Sequence, residues 1–215
     1  MISDIQKLRS DYAQSSLDER DVAANPIEQF QKWFEEVLNS NITEPNAMTL
    51  ATCDASGMPS ARIVLLKGLA DGQFLFFTNY LSRKGEELTQ NSRVCLLFFW
   101  KELERQIRIE GTASKISETA STEYFQSRPK PSQIGALVSP QSQVIENRLW
   151  LEQKYAEIAA KFADSEALPR PPHWGGYAVK PEKIEFWQGR RSRLHDRILY
   201  SLTFENVWKI ERLAP

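Results

Sequence analysis

"SARIVLLKGLADGQFLFFTNYLSRKGEEL", residues 60–88, carries the changes of period that decide the fold. Ser60 to Gly68 is rich in branched apolar residues and reads as a strand, and Gln73 to Asn79 reads as another. Between them Asp71-Gly72 is the residue pair of a two-residue hairpin turn. From about Leu81 to Thr89 the pattern becomes that of a short helix. Strand, tight turn, strand, short helix is the grammar of an antiparallel sheet with helices between its strands.

The same grammar holds on both sides. Upstream, Asn25-Pro26 opens a helix whose Ile27, Phe30, Phe34, Val37 and Leu38 make an apolar stripe, and "AMTLATC" (47–53) is a strand ending in the turn "DASGMP". Downstream come "RVCLLFFW" (93–100) and "ERQIRIEGTASKI" (104–116). Ser117 caps a segment reaching Gln126, "RPKPSQIGALVS" is a short proline-broken helix, and a long helix is expected from Gln141 to Ala163, with Leu151, Tyr155, Ile158 and Phe162 on one side. A proline-rich loop, "DSEALPRPPHW", precedes three closing strands: "GGYAVKP", "KIEFWQG" through "RLHDRILYSL", and "FENVWKIERLA". With no repeat and no long linker, residues 1–215 read as one domain of the α+β class, mainly β. The expected architecture is an antiparallel barrel with helical insertions, and residues 1–20 are expected to form a mobile arm.

Composition narrows the function. The 215 residues are 41% hydrophobic and 26% charged, with a net charge of −1. Near-neutrality argues against general affinity for nucleic acid. Cys53 and Cys95 lie in apolar surroundings and read as free thiols, although spacing alone does not exclude a disulfide. The N-terminus lacks the apolar core of a secretory signal, and the longest apolar run, Val94 to Trp100, is too short to span a bilayer. A soluble cytoplasmic protein is expected.

Against that neutral background, cations cluster. In "QGRRSRLHDRILY" (188–200), an extended chain places Arg193, His195 and Arg197 on one face, a self-repelling arrangement unless water or an anion answers it. Arg193 and Arg197 should depress the pKa of His195 and keep it neutral near pH 7. Arg83 and Lys84 follow the N-cap residue Ser82, where the helix dipole disfavours cations; an anion there would repair the conflict, and so would a solvated turn offset by Glu86 and Glu87. Arg62 and Lys67, five residues apart, point to opposite faces of a regular strand. Tyr124 and Arg128 are i and i+4 on a helix, and Ser132 could cap the next, together a phosphate cup or merely a capped helix with a surface arginine. His173 reads as structural. There is no metal-ligand spacing, no P-loop and no nucleophile elbow. Three sites of phosphate-type contact point to two phosphorylated molecules more readily than to one.

The stretches "LRSDY", "RIVLLKG", "FFTNYLSRKGEEL", "LERQIRIEG", "YFQSRPKPSQIGALVSPQS", "WGGYAVKPEKIEFWQG", "RLHDR" and "WKIERLAP" run in order from near the N-terminus to Pro215. On them the chain resembles the pyridoxamine 5′-phosphate oxidase family of FMN-binding split barrels. The resemblance implies a homodimer with FMN at the subunit interface. It also implies oxidation of pyridoxamine or pyridoxine 5′-phosphate to pyridoxal 5′-phosphate, by hydride transfer to the flavin with dioxygen reduced to hydrogen peroxide. Carried over by position, Arg62, Ile63, Val64, Leu65, Leu66 and Lys67 line the flavin, with Phe77 and Thr78 at the next strand's end and Arg83 and Lys84 on the cofactor phosphate. Gln106, Gln141, Ser142, Trp187 and Arg197 complete that set. Lys67, Tyr124, Arg128 and Ser132 would hold the substrate phosphate, while Arg193, Leu194 and His195 face its ring and Arg9, Ser10, Asp11 and Tyr12 fold over it. Arg193 and His195 are the catalytic candidates, and no metal is implied. Phe77 departs from the tyrosine of many relatives, and Arg190-Arg191 receives no role. The alternatives are another split-barrel flavoprotein, such as a flavin reductase or a haem-handling relative, and a non-catalytic barrel binding phosphate or nucleic acid.

Overall fold

In the computed structural model, which describes residues 11–215, the turn in the opening stretch is built as its residues dictate. Asp71 and Gly72 both take positive φ, 51° and 72°, the left-handed pair that a type I′ hairpin requires. They join β3 (Gly68–Ala70) to β4 (Gln73–Asn79), with Gly68 opposite Leu75 and Ala70 opposite Gln73. The strand expected over 60–68 is interrupted: β2 covers Pro59–Leu65, and Leu66 and Lys67 lie between it and β3.

The remaining strands are β1 (Ala47–Cys53), β5 (Arg93–Trp100), β6 (Arg105–Lys115), β7 (Trp174–Gln188), β8 (Asp196–Leu202) and β9 (Trp208–Arg212). The nine run in the order β2-β1-β5-β6-β7-β4-β3, with β8 on β7 and β9 on β8. The pairs β3–β4, β4–β7, β7–β8 and β8–β9 are antiparallel. Five helices stand between strands or before them: α1 (Pro26–Leu38), α2 (Arg83–Gln90), α3 (Glu118–Ser127), α4 (Lys130–Val138) and α5 (Arg148–Lys161). The α+β, mainly β expectation is met.

Four local expectations need correction. "GGYAVKP" and "KIEFWQG" are one 15-residue strand, β7. It pairs with β4 from Trp174 to Val179 and with β8 from Lys183 to Gln188, so Pro181 falls between the two pairings, where its missing N–H costs neither ladder a bond. The long helix begins at Arg148 and not at Gln141, because Ser142 takes φ 73° and the Asn147 side chain caps the Trp150 N–H at 2.8 Å. The α1 stripe is rotated, with Gln29, Phe30, Trp33 and Val37 buried and Leu38 58% exposed. Arg193, His195 and Arg197 do not share a strand face: residues 191–193 form a tight turn with Ser192 and Arg193 at φ 58° and 65°, and β8 begins only at Asp196.

By contacts the chain divides into two compact units, with boundaries inside β1, β5, β6 and β7. The first comprises residues through Thr49, Cys95–Glu110 and Pro181–Pro215. Its core joins α1 to the strands through aromatic rings: Phe30 to Phe98 at 5.4 Å, Trp33 to Phe186 at 5.2 Å, and Phe186 to Tyr200 at 5.5 Å. Fully buried aromatic rings of this size dominate core energetics. The second unit, Leu50–Val94 with Gly111–Lys180, packs Phe125, Ile134, Leu168 and Trp174 together, with Tyr155, Ile158 and Phe162 of the α5 face and its end against them.

Candidate active site

In the second unit a cavity of about 540 Å³ collects four of the cations singled out in the sequence, Arg62, Lys67, Lys84 and Arg128. The end of β2 supplies Arg62, Ile63, Val64 and Leu65, and Lys67 follows the interruption after Leu65. That break is why Arg62 and Lys67 line one space despite their odd spacing, which a regular strand would have sent to opposite faces. The carboxyl end of β4 adds Phe77, Thr78 and Asn79, the helices α2 to α4 add Lys84, Tyr124, Ser132, Gly135 and Ala136, and the loop after α4 adds Gln141. Arg128 and Trp174 complete the wall.

The local chemistry of α2 explains how Lys84 comes to be there. Ser82, fully buried, caps the helix and accepts from the Gly85 N–H. A Cβ on Gly85 would lie 2.1 Å from the Tyr80 carbonyl oxygen, so only glycine lets the first turn settle against that backbone. Lys84 is thereby drawn in to 9% exposure, where Nζ donates to Gln141 Oε1 at 3.0 Å and to Thr78 Oγ1 and Ser82 Oγ at 3.3 Å. All three acceptors are neutral. Burial pushes its pKa down and neighbouring Arg62 pushes it further, against the pull of Glu87.

The other end is aromatic. The rings of Phe77 and Tyr124 stack at 3.7 Å and that of Trp174 lies 5.6 Å from Phe77, with the Arg128 guanidinium 4.6 Å over the Trp174 face. Arg128 is not in a helix: it ends α3 with extended ψ, and Pro129 rather than Ser132 stands at the N-cap of α4. Ser132 reaches the cavity from inside α4. Arg128 Nη1 is buried with no hydrogen-bond partner, and burial pushes the guanidinium's pKa below its usual value. An enclosed guanidinium nitrogen without an acceptor is a costly arrangement unless a ligand supplies one.

Other sequence candidates lie elsewhere. Arg83 is 61% exposed, is paired with Glu87 at 2.8 Å, and is not among the cavity-lining residues. Leu66 is buried and Ser142 exposed, both off the lining. Gln106, half-buried on β6, belongs to the first unit, as do Arg193, Leu194, His195, Trp187 and Arg197. There the ring of His195 lies 4.6 Å from Trp187 and 5.9 Å from Tyr12. Its Nδ1 accepts the Arg190 N–H at 3.1 Å, so the neutral ring carries its proton on Nε2. Burial lowers its pKa first and Arg193 second; Arg197 takes no part, being held by Glu185 at 2.7 Å and the Ala214 carbonyl at 2.9 Å. Gly189 admits Tyr12, since a Cβ there would meet the tyrosine at 2.8 Å. Arg9 and Ser10 lie outside the described residues. Asp11 is exposed, and beyond Tyr12 the Ala13 and Gln14 N–H groups donate to the Glu104 carboxylate. His173 is structural, its carbonyl taking the Tyr80 N–H. The sequence reading gave Glu87 only the offsetting of a solvated turn, whereas it is buried, and it passed over Trp174, whose type gave no signal; burial marks both.

Comparison with known proteins decides the family. A family model described as pyridoxamine 5′-phosphate oxidase matches residues 34–162, and one described as the pyridoxine 5′-phosphate oxidase C-terminal dimerisation region matches residues 174–215. A pyridoxine/pyridoxamine 5′-phosphate oxidase of Burkholderia mallei is 57% identical over 210 residues, 97% of each chain. The chain belongs to the pyridoxine/pyridoxamine 5′-phosphate oxidase family. Another member, from Paraburkholderia phymatum, is 54% identical over 214 residues, 100% of both chains. Among solved structures, PhzG from Burkholderia lata in complex with tetrahydrophenazine-1-carboxylic acid has a TM-score of 0.87 at 32% identity, covering 94% of this chain and 98% of that one. An FMN-binding protein from Nostoc punctiforme, described as related to pyridoxamine 5′-phosphate oxidase, shares the fold at a TM-score of 0.69 and 18% identity, covering 86% and 97%. The architecture is therefore the split barrel of this oxidase family. Among the described residues no helix is long and apolar enough to cross a membrane.

Proposed function

We propose that this chain is an FMN-dependent oxidase that converts pyridoxamine and pyridoxine 5′-phosphate to pyridoxal 5′-phosphate, reducing dioxygen to hydrogen peroxide. The observation that carries the reading is a pair of cations lining one cavity, buried Lys84 and half-buried Arg128 with its Nη1 enclosed, neither with a carboxylate partner among the described residues. Two phosphorylated molecules, a cofactor and a substrate, answer two such cations. The donor set fits FMN: Lys84 and Arg62 for its phosphate, with the backbone of Ile63 to Leu65, Thr78 and Gln141 along its length. When bound, FMN supplies a two-electron acceptor that dioxygen restores.

The protein's part is to bind and orient. Arg128, pre-set on the Trp174 face, takes the substrate phosphate with Tyr124, Ser132 and Lys67. Each charge-assisted hydrogen bond contributes about 1.5–3 kcal/mol. The wall of Phe77, Tyr124 and Trp174 excludes water beside that phosphate. His195, neutral with its proton on Nε2, and Arg193 are the candidates for contact with the substrate ring, and the Tyr12 ring stands 5.9 Å from that of His195. Residues 1–215 work as one domain, with the arm from Asp11 to Arg20 as its lid; residues 1–10 of the expected arm lie outside the described residues. The active form is a homodimer assembled through the C-terminal region. Two free thiols, Cys53 and Cys95, support a cytoplasmic setting.

The test is colour. Purified protein should be yellow, bleach on adding pyridoxamine 5′-phosphate without oxygen, and recolour in air while releasing pyridoxal 5′-phosphate. A colourless protein, or a yellow one that the substrate does not bleach, would overturn the reading.

A further inference from the structure

Glu87 is an ionised carboxylate at 4% exposure on α2, where an uncompensated charge would be strongly disfavoured. Four side chains compensate it. Thr52 Oγ1 donates at 2.5 Å, Ser60 Oγ at 2.7 Å, Arg83 Nε at 2.8 Å and Arg62 Nη2 at 3.1 Å. Arg62 is then held a second time, because its Nη1 donates to Thr52 Oγ1 and to the Leu50 carbonyl, and its Nη2 to Ser60 Oγ. The two hydroxyls that receive Arg62 are the same two that report to Glu87. Arg62 lines the cavity while Glu87 does not.

We propose that Glu87 is a positioning residue for the cofactor phosphate: through Thr52 and Ser60 it sets the Arg62 guanidinium at the mouth of the site. This rests on the FMN reading above. Arg83 has a part that its exposure would otherwise leave unexplained. By pairing with Glu87 it offsets the carboxylate, so three cations, Arg62, Arg83 and Lys84, stand against one anion and leave a net positive end for a phosphate dianion. A fixed guanidinium loses less freedom on binding than a mobile one, and that difference appears as affinity.

A purely structural Glu87 would stitch α2 to the strands and affect any flavin alike. Riboflavin, which is FMN without the phosphate, separates the two roles. Flavin-free full-length protein is titrated with FMN and with riboflavin, following flavin fluorescence, for wild type and for Glu87→Gln. The expected result is an FMN Kd raised about tenfold in the variant, the loss of one charge-assisted contact, with the riboflavin Kd unchanged. An unchanged FMN Kd, or equal losses for both flavins, overturns the proposal. Should Glu87→Gln not fold, Ser60→Ala decides in its place: selective loss of FMN affinity sustains the relay, and equal behaviour toward both flavins overturns it. A wild type that binds both flavins equally would remove the phosphate site itself, a failure of the underlying reading and not of Glu87 alone.

Discussion

At the scale of single residues, Arg128 is the sharpest case. Its Nη1 is buried without an acceptor while its guanidinium carbon lies 4.6 Å from the centre of the Trp174 ring. Replacing it with alanine removes a contact made by substrate and not by flavin. Arg128→Ala should raise KM for pyridoxamine 5′-phosphate roughly 10- to 100-fold, from about 1.5–3 kcal/mol of lost charge-assisted bonding, and leave the FMN Kd unmoved. Equal KM values would take Arg128 out of the phosphate site. Arg128→Lys should recover little, because an ammonium cannot reproduce the planar fork of a guanidinium that offers a phosphate two parallel donors. The sequence made Tyr124, Arg128 and Ser132 legible as a group, since their spacing alone keeps them close. It hid which of them stands unpartnered, because that follows from the chain leaving α3 at Arg128 and from a tryptophan arriving 46 positions later.

At the scale of elements, α2 joins fold to site. Gly85 is a constraint that a sequence pattern does not display: glycine inside a helix reads as a weakness, yet here it is what lets the turn seat against Tyr80. Gly85→Ala should displace the helix start and cost about 1–3 kcal/mol, as overpacking does. Thermal denaturation should show it as roughly 2–4 °C per kcal/mol, together with weaker FMN retention; an unaltered Tm would mean the turn has room. The same helix predicts acid behaviour. Burial pushes the Glu87 pKa up, but hydrogen bonds from Thr52, Ser60, Arg83 and Arg62 outweigh it and hold it at about 2, below the ordinary 4.5. A depressed carboxylate contributes stability that is full above pH 4.5 and is lost as pH falls toward 2. Glu87→Gln should therefore flatten that part of the acid-unfolding curve, and an identical acid limb in wild type and variant would contradict the network. Hairpins and alternating strands such as β5 were legible because turn chemistry and period 2 are local. The fused β7 was not: the expected strands divide beside Pro181, whereas in the fold that proline sits where β7 changes partner from β4 to β8 and interrupts neither of those ladders.

At the scale of the whole molecule, the chain's first described residues are tied to its last strand. Arg212 on β9 donates Nε and Nη2 to the two oxygens of Glu19 at 2.6 Å each, Nη1 to Asp196 at 2.9 Å, and Nη2 also to the Leu17 carbonyl at 3.0 Å. Asp196 closes the loop by accepting the Leu17 N–H at 3.1 Å, and Leu17 itself is buried. The Glu19 hydrogen bonds raise the Arg212 pKa, so the clamp stays charged at any working pH. Five residues before Leu17 stands Tyr12, with its ring 5.8 Å from Trp187 and beside His195. Because Arg212 and Glu19 are both more than a third exposed, solvent screens the pair and its global contribution is small, about 0–1 kcal/mol. Its effect belongs to the arm. Arg212→Ala should leave Tm within a few degrees and FMN affinity unchanged, yet speed amide exchange across residues 13–19 and lower kcat/KM as Tyr12 loses its anchor. Raising the salt concentration on wild type should move exchange in the same segment the same way, since screening weakens an exposed pair. If exchange in residues 13–19 matches wild type, the arm is held by Glu104 and Leu17 packing alone, and the C-terminal strand is not its clasp.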